Sequence, residues 1–218
     1  MKPADRAPQR VLVVGASGAL GRPVVEQLLA RRVAVRGLCR HPDALRDLAA
    51  AGAEIVAGDL TDRASIAAAL TGVSRVLASA HGLLGRGRWR SEAVDDTGHR
   101  TLIDAARAAG VDRLVYVSAL LAAPDHPVDF ARTKHAIEQV VASSGMPHAI
   151  LRPAAYMEHH VHRFNGLNVL QQGKAKLVGT GSKLRNFVAA TDVARIAVHA
   201  LLDEPLPFTR LDIGGPDN

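Results

Sequence analysis

The stretch RVLVVGASGALGR, residues 10–22, decides the fold: an apolar run stops at a glycine and gives way to a helical pattern. Arg10 to Val14 is short and continuously apolar from its second residue, as in a strand buried on both faces. From Ala19 to Arg31 the apolar residues Leu20, Val24, Val25, Leu28 and Leu29 fall at helical spacing. Between the two, Gly15 permits a tight turn, Gly18 lets a pyrophosphate approach the backbone, and Gly21 lets the helix lie close on the sheet. Bare amides and the helix dipole at such a turn attract phosphate. Gly15, Ser17, Gly18, Ala19, Leu20 and Gly21 are therefore candidate cofactor-binding residues. The spacing G-x-x-G-x-x-G differs from the G-x-G-x-x-G dehydrogenase fingerprint, and the plainer alternative is a strand-to-helix turn without a ligand.

Outward from this turn the alternation repeats. Strands are expected at Val33–Cys39, Glu54–Ala57, Arg75–Ala80, Arg113–Ser118, His148–Arg152 and Arg210–Ile213. Helices are expected at Asp43–Ala51, Ala64–Leu70, Asp95–Ala109, Phe130–Ser144 and Thr191–Leu202. Strand–helix alternation with short turns predicts an α/β, doubly wound parallel sheet of the Rossmann type. Residues 1–9 read as a disordered tail and 10–155 as the dinucleotide-binding core. Residues 156–190 lose the alternation and read as a small lobe for substrate or partner, after which 191–218 return to the core. The closing turn Gly214–Asn218 predicts that a further C-terminal segment follows.

Composition narrows the function classes. In 218 residues, 48% are hydrophobic but only 3% aromatic, so the core must be aliphatic. Cys39 is the sole cysteine, which excludes an internal disulfide and suits a reducing compartment. The polar opening residues predict no signal peptide, and no uncharged apolar run reaches the ~20 residues of a membrane span. A cytoplasmic location is expected. The formal charge is +6 and the isoelectric point about 10.1, with the basic residues scattered along the chain. An anionic cofactor and solvated surface account for that better than a nucleic-acid face does.

At the end of the second strand, an NAD-selective site carries an acid for the ribose hydroxyls. Here Arg40 stands there, nineteen positions after Gly21. A guanidinium suits the 2′-phosphate of NADP(H), although Asp43 is near enough to serve NAD. Asp59 and Leu60 end the third strand where adenine should lie; Asp59 either accepts from the adenine amino group or caps the next helix. Ala78, Ser79 and Ala80 at the end of the fourth strand, and Pro153 after the sixth, are further candidate cofactor contacts.

Several segments together resemble the atypical short-chain dehydrogenases, specifically the NmrA-like NAD(P)-binding group. They are GASGALGR at 15–22, CRHPDAL at 39–45, GDL at 58–60, AARAAGVDRLVYVSA at 105–119, RTKHAIEQVV at 132–141, LRPAAYMEH at 151–159 and NFVAATDVA at 186–194. The resemblance implies NADP binding, a sheet of about seven strands and a substrate pocket beneath the C-terminal lobe. Ordinary members of the superfamily use a Ser, a Tyr and a Lys four residues later. Ser118 and Lys134 occupy the first and last of these places, whereas the tyrosine place holds Phe130, which has no exchangeable proton. Lys134 can hold the nicotinamide ribose or be a surface lysine; Ser118 can contact cofactor or substrate or simply cap a strand.

Tyr156, His81 and solvent remain as proton sources, and an acceptor such as a quinone or flavin would need none. The leading expectation is an NADP(H)-dependent oxidoreductase of a small quinone-, flavin- or carbonyl-type acceptor. The alternative is a non-catalytic sensor or scaffold that binds NADP(H) and signals through a protein partner. His159, His160 and His162 lack matching Cys or carboxylate ligands, so no metal is expected. The loop HGLLGRGRWRS, residues 81–91, reads as a flap over the cofactor rather than an RNA-binding segment.

Overall fold

The computed structural model describes residues 10–83, 85–159, 161, 166–175 and 184–216. The tail expected over 1–9, His160, His162, part of the 156–190 lobe and Asp217–Asn218 lie outside the described residues.

Along β1 (Arg10–Val14) the side chains alternate: Val11 and Val13 enter one core cluster, Leu12 and Val14 the other. That is the period of two of a strand, here with both faces buried. The same holds for β5 (Arg113–Val117), where Val115 and Val117 face one layer and Leu114 and Tyr116 the opposite one. With β2 (Ala34–Cys39), β3 (Glu54–Ala57), β4 (Arg75–Ala78), β6 (His148–Pro153) and β9 (Arg210–Ile213), they form a seven-stranded sheet ordered β3-β2-β1-β4-β5-β6-β9. Every pairing is parallel. Helices α1 (Gly21–Ala30), α2 (Arg46–Ala50) and α7 (Ala190–Leu202) cover one face; α3 (Arg63–Ala69), α4 (His99–Ala108) and α5 (Asp129–Ser143) cover the other. This is the Rossmann arrangement expected from the alternation, with a switch of direction between β1 and β4.

Short elements lie in the described part of the region where the alternation fails. A two-stranded parallel ribbon joins β7 (Ala155–Tyr156) to β8 (Phe187–Val188), and α6 (Leu167–Gln172) buries no side chain. Elsewhere two helices differ from their expected form. Pro42–Leu45 is a 3-10 turn leading into α2, and Glu92–Gly98 is a π-helical segment running into α4.

The scattered arginines are not all solvated surface, and this corrects the reading of the charge. Arg36, Arg75 and Arg113 are buried near the amino ends of their strands. Arg36 Nη1 donates to the carbonyls of Ala69 and Thr71 at 2.7 and 2.8 Å, satisfying the end of α3. Arg113 Nη1 donates to Ala200 and Asp203 carbonyls at 3.0 and 2.8 Å, and Arg75 Nη1 to that of Leu201, all at the end of α7. Glu204 closes the group, 2.7 Å from Arg75 and 2.8 Å from Arg113. The last turn of a helix carries orphan carbonyls and negative dipole, so a fixed cation there serves both needs. Arg113→Met keeps the stem but orphans those acceptors. It should lower the unfolding free energy in urea titration by about 2–4 kcal/mol; a loss under about 0.5 kcal/mol would contradict this role.

Candidate functional site

Parallel strands bring all their carboxyl ends to one edge, and every site residue expected from the sequence except Lys134 lies at or just beyond such an end. The turn after β1 occupies the switch point. Gly15 has φ +85°, and a Cβ there would come within 2.9 Å of the Ala80 amide nitrogen. A Cβ on Gly21 would fall 2.1 Å from the Gly15 carbonyl oxygen, so the start of α1 rests directly on the turn. Ser17 and Gly18 are exposed, and Leu20 and Gly21 are buried. Helix α1 has no side-chain cap and no acid in its first turn. Its leading amides and dipole thus face outward without a competing anion, which fits a pyrophosphate. Ser79 binds the strands behind the turn together, its amide and hydroxyl both donating to the Val14 carbonyl at 3.1 and 2.8 Å. Ala78 is buried in β4 and Pro153 closes β6.

Beyond β2 and β3 the side chains converge on Trp89. Asp59 Oδ1 accepts from the Thr61 amide and hydroxyl, each at 2.9 Å, while Oδ2 accepts from Trp89 Nε1 at 2.7 Å. Partial burial pushes the Asp59 carboxyl up, but these hydrogen bonds and the charge of Arg88 outweigh it and hold it below the usual carboxylate range. Leu60 is buried beside it. The Asp62 side chain, not that of Asp59, caps α3 through the Ala64 amide at 2.9 Å. Asp43 is engaged with Arg46 at 2.8 Å.

On the far side of the switch point, Lys134 of α5 is buried between two rings. Its Nζ lies 5.1 Å from the Tyr116 centroid and 5.3 Å from that of Phe130. It donates to the Val117 carbonyl at 3.3 Å and stands 3.2 Å from Asp95 Oδ1. Asp95 sits within the π-helical segment, and its Oδ2 accepts from the Gly82 amide at 2.9 Å and the Ser91 hydroxyl at 2.8 Å. Burial lowers the Lys134 pKa, Asp95 opposing it, and the net effect is below the usual lysine value. Burial pushes Asp95 up, yet Lys134 above all brings it below its ordinary value. Each charge thus opposes the cost of burying the other. Next to them His99 is fully buried; burial and the Lys134 charge lower its pKa to about 4. Its neutral ring is assigned the Nδ1–H tautomer, donating to the Val94 carbonyl at 2.8 Å.

Ser118, after β5, donates its hydroxyl to Glu138, which Arg152 also holds, through Nε at 2.8 Å. At the rim, His81 and His159 meet edge to face with centroids 6.4 Å apart, and Tyr156 lies 6.4 Å from His159. Burial raises the Tyr156 pKa, aided by Glu158, and its buried hydroxyl has no hydrogen-bond partner among the described residues. Asp95 and Glu138 escaped the sequence reading. Glu138 had a local signal, one helical turn after Lys134 on the same face; Asp95 had none.

Residues 15–204 match the model of a family described as NAD(P)H-binding. An NAD(P)H azoreductase of Xenophilus azovorans is 30% identical over 88% of this chain and 63% of its own length. A photosystem II assembly factor of Synechocystis is 28% identical over 88% of this chain and 58% of its own. The chain thus spans under two thirds of either relative. The Escherichia coli NADPH-dependent quinone oxidoreductase in complex with NADPH superposes with a TM-score of 0.76 at 26% identity, covering 95% of this chain and 70% of that one. Among the described residues no helix is long and apolar enough to cross a membrane.

The buried imidazole makes stability depend on pH. An unfolded histidine takes up its proton near pH 6.5, whereas folded His99 does so only near about 4. The unfolded state therefore binds more protons in between, and stability is lost as pH falls through that window. Linkage puts its share between pH 7 and pH 4.5 on the order of 2–3 kcal/mol. His99→Gln keeps a donor for Val94 and should flatten that loss in urea titrations at the two pH values. Equal losses in both proteins would contradict the assignment.

Proposed function

Since the chain belongs to the NAD(P)H-binding family, we propose that it is a cytoplasmic NADP(H)-dependent oxidoreductase of the NmrA-like, atypical short-chain dehydrogenase type. Its acceptor on this reading is a small quinone-, flavin- or carbonyl-type molecule. The observation that carries the reading is the turn at residues 15–21, whose glycines leave room beside the backbone in front of a helix without a side-chain cap; the Gly15, Ala16 and Gly18 amides are used within the fold, at 3.1, 3.2 and 2.9 Å. The amides of Ser17, Ala19 and Leu20 hold the pyrophosphate, with Gly18 letting it approach the backbone and Gly15 and Gly21 setting the turn. Arg40 receives the 2′-phosphate; the engagement of Asp43 with Arg46 supports NADP(H) over NAD(H). Asp59 accepts from the adenine amino group beside Leu60. Ala78, Ser79, Ala80 and Pro153 wall the cleft, and Lys134 holds the nicotinamide ribose with Ser118 beside it. When bound, the reduced nicotinamide supplies a hydride equivalent to the acceptor.

Phe130 cannot donate a proton, and its ring instead shares the Lys134 ammonium with Tyr116. An acceptor that takes its proton from water fits this arrangement. If the protein supplies one, His81 and Tyr156 are the groups at the rim. His81 titrates below its usual value, lowered by its surroundings and by the Lys134 charge. Tyr156 holds its proton tightly, and a lowered His81 is mostly neutral near pH 7, so a proton from water fits this arrangement better than one from either group.

A second reading, a non-catalytic NADP(H) sensor or scaffold with a protein partner, is favoured by Phe130 and by the assembly-factor name of one relative. Steady-state assays separate the two. Purified protein should oxidise NADPH with at least one member of a panel of quinones, flavins, aldehydes and azo dyes; binding without any turnover favours the scaffold.

Gly18→Ala tests the site itself, because its Cβ would meet only the Gly15 carbonyl, at 3.2 Å. The melting temperature should stay within roughly 2 °C, while NADPH affinity falls at least about tenfold. Unchanged affinity would contradict the assignment. Arg40→Ala should weaken NADPH by about tenfold and leave NADH within about twofold; equal losses would remove Arg40 from the 2′-phosphate.

A further inference from the structure

Trp89 is the only tryptophan of the chain, and it stands where the adenosine half of the cofactor is assigned. Its Nε1–H donates to Asp59 Oδ2 at 2.7 Å. The Arg40 guanidinium carbon lies 5.2 Å from the indole centroid, and that of Arg88 5.8 Å. Asp59 and Arg40 are the two residues that the proposed function gives to the adenine amino group and the 2′-phosphate. A flat nitrogen heterocycle, with an N–H on Asp59 and a face toward Arg40, already satisfies both.

We propose that, given the NADP(H) reading of this site, the indole of Trp89 competes with the adenosine end of the dinucleotide for Asp59 and Arg40 and is displaced when the cofactor binds.

The loop is built to deliver the indole there. Its base is tied down by the Gly82 amide, which donates to buried Asp95 at 2.9 Å. The Gly85 amide donates to the Gly82 carbonyl at 2.8 Å. A Cβ on Gly85 would fall 1.8 Å from the Trp89 carbonyl oxygen, so only glycine lets the chain fold back this closely. Gly87 has φ +58°, a conformation that favours glycine. Beyond this base Arg86, Arg88, Trp89 and Arg90 are all exposed; a backbone turn from Arg86 to Arg90 and an Arg90–Glu92 pair at 2.7 Å support the tip, while the indole and Arg88 reach out to Asp59.

Those contacts are of a kind that a nucleotide can replace. An indole–carboxylate hydrogen bond and a solvent-exposed cation–π contact are each modest in water. A 2′-phosphate offers Arg40 a charged, two-pronged partner that an indole cannot match. Trp89 therefore sets a threshold that every adenine dinucleotide must meet. NADP(H) clears it with its extra phosphate, and NAD(H) has nothing to set against the Arg40 contact. The device acts as a specificity filter on top of Arg40 itself.

Tryptophan emission reads the displacement directly. Adenosine 2′,5′-bisphosphate, which fills only the adenosine half, should increase acrylamide quenching of Trp89; nicotinamide mononucleotide should not. In calorimetry Trp89→Ala should bind the bisphosphate about three- to tenfold more tightly, because no occupant has to leave. Trp89→Phe keeps a ring over Arg40 without the N–H, and its affinity should lie between the two. Weaker binding by Trp89→Ala would overturn the proposal by making the indole a stacking partner of bound adenine. Unchanged quenching at saturating bisphosphate would also overturn it, while leaving the cofactor reading intact. If neither wild type nor Trp89→Ala gives heat with NADP+ or NAD+, the cofactor reading falls and this proposal with it.

Discussion

The seating of Gly21 against the carbonyl of Gly15 is the contact on which the rest depends. A methyl group at either end would collide with backbone, at Gly21 with Gly15 and at Gly15 with Ala80. Because neither is present, α1 starts immediately behind β1 and its first amides point over the edge of the sheet. The Gly15 and Ala16 amides also donate to the Leu38 carbonyl at 3.1 and 3.2 Å, which locks the turn to β2. Order at the switch point therefore comes from backbone packing rather than from side chains. That explains why Ser17 and Gly18 can remain exposed while Ala16, Leu20 and Gly21 are buried.

A second constraint is electrostatic. Lys134 and Asp95 are both nearly inaccessible, and removing either alone would leave a buried charge without its counterpart. Through its other oxygen Asp95 reaches Gly82 and Ser91, which bracket the loop carrying Trp89. One carboxylate thus links the assigned ribose lysine to the base of the segment that lies over the assigned adenosine end. The π-helical turn at Glu92–Gly98 is what presents it. A Cβ on Gly98 would sit 2.9 Å from both Leu60 Cγ and the Leu60 carbonyl, so that turn packs hard against the end of β3. Such irregular turns are frequent at functional sites.

The sheet was legible because each strand is a short apolar run that both layers bury, and no other element suits that pattern. Ends were less so. Ser79 and Ala80 look like strand, yet β4 stops at Ala78, where Ser79 turns its amide and hydroxyl onto the Val14 carbonyl. The segment before α4 reads as plain helix, because a π-helical turn leaves no mark on apolar spacing. Within the site, the glycine turn, Arg40 and Asp59 could be found by their place after a strand. Asp95 could not: its partner is thirty-nine positions away, and pairing at that distance has no local signature. Trp89 was legible as part of a loop but not as an occupant, since only the fold brings it to Asp59 and Arg40. The three buried arginines were misassigned for the same reason, their acceptors being carbonyls of distant helix ends.

The central claim, that the amides of the opening turn grip a diphosphate, is tested most directly by nitrogen-15 NMR of the amides during titration with NADP+. The account predicts large, saturable shifts of the Ser17, Ala19 and Leu20 amides that track the binding isotherm. Binding that saturates while those three amides stay where they were would contradict it.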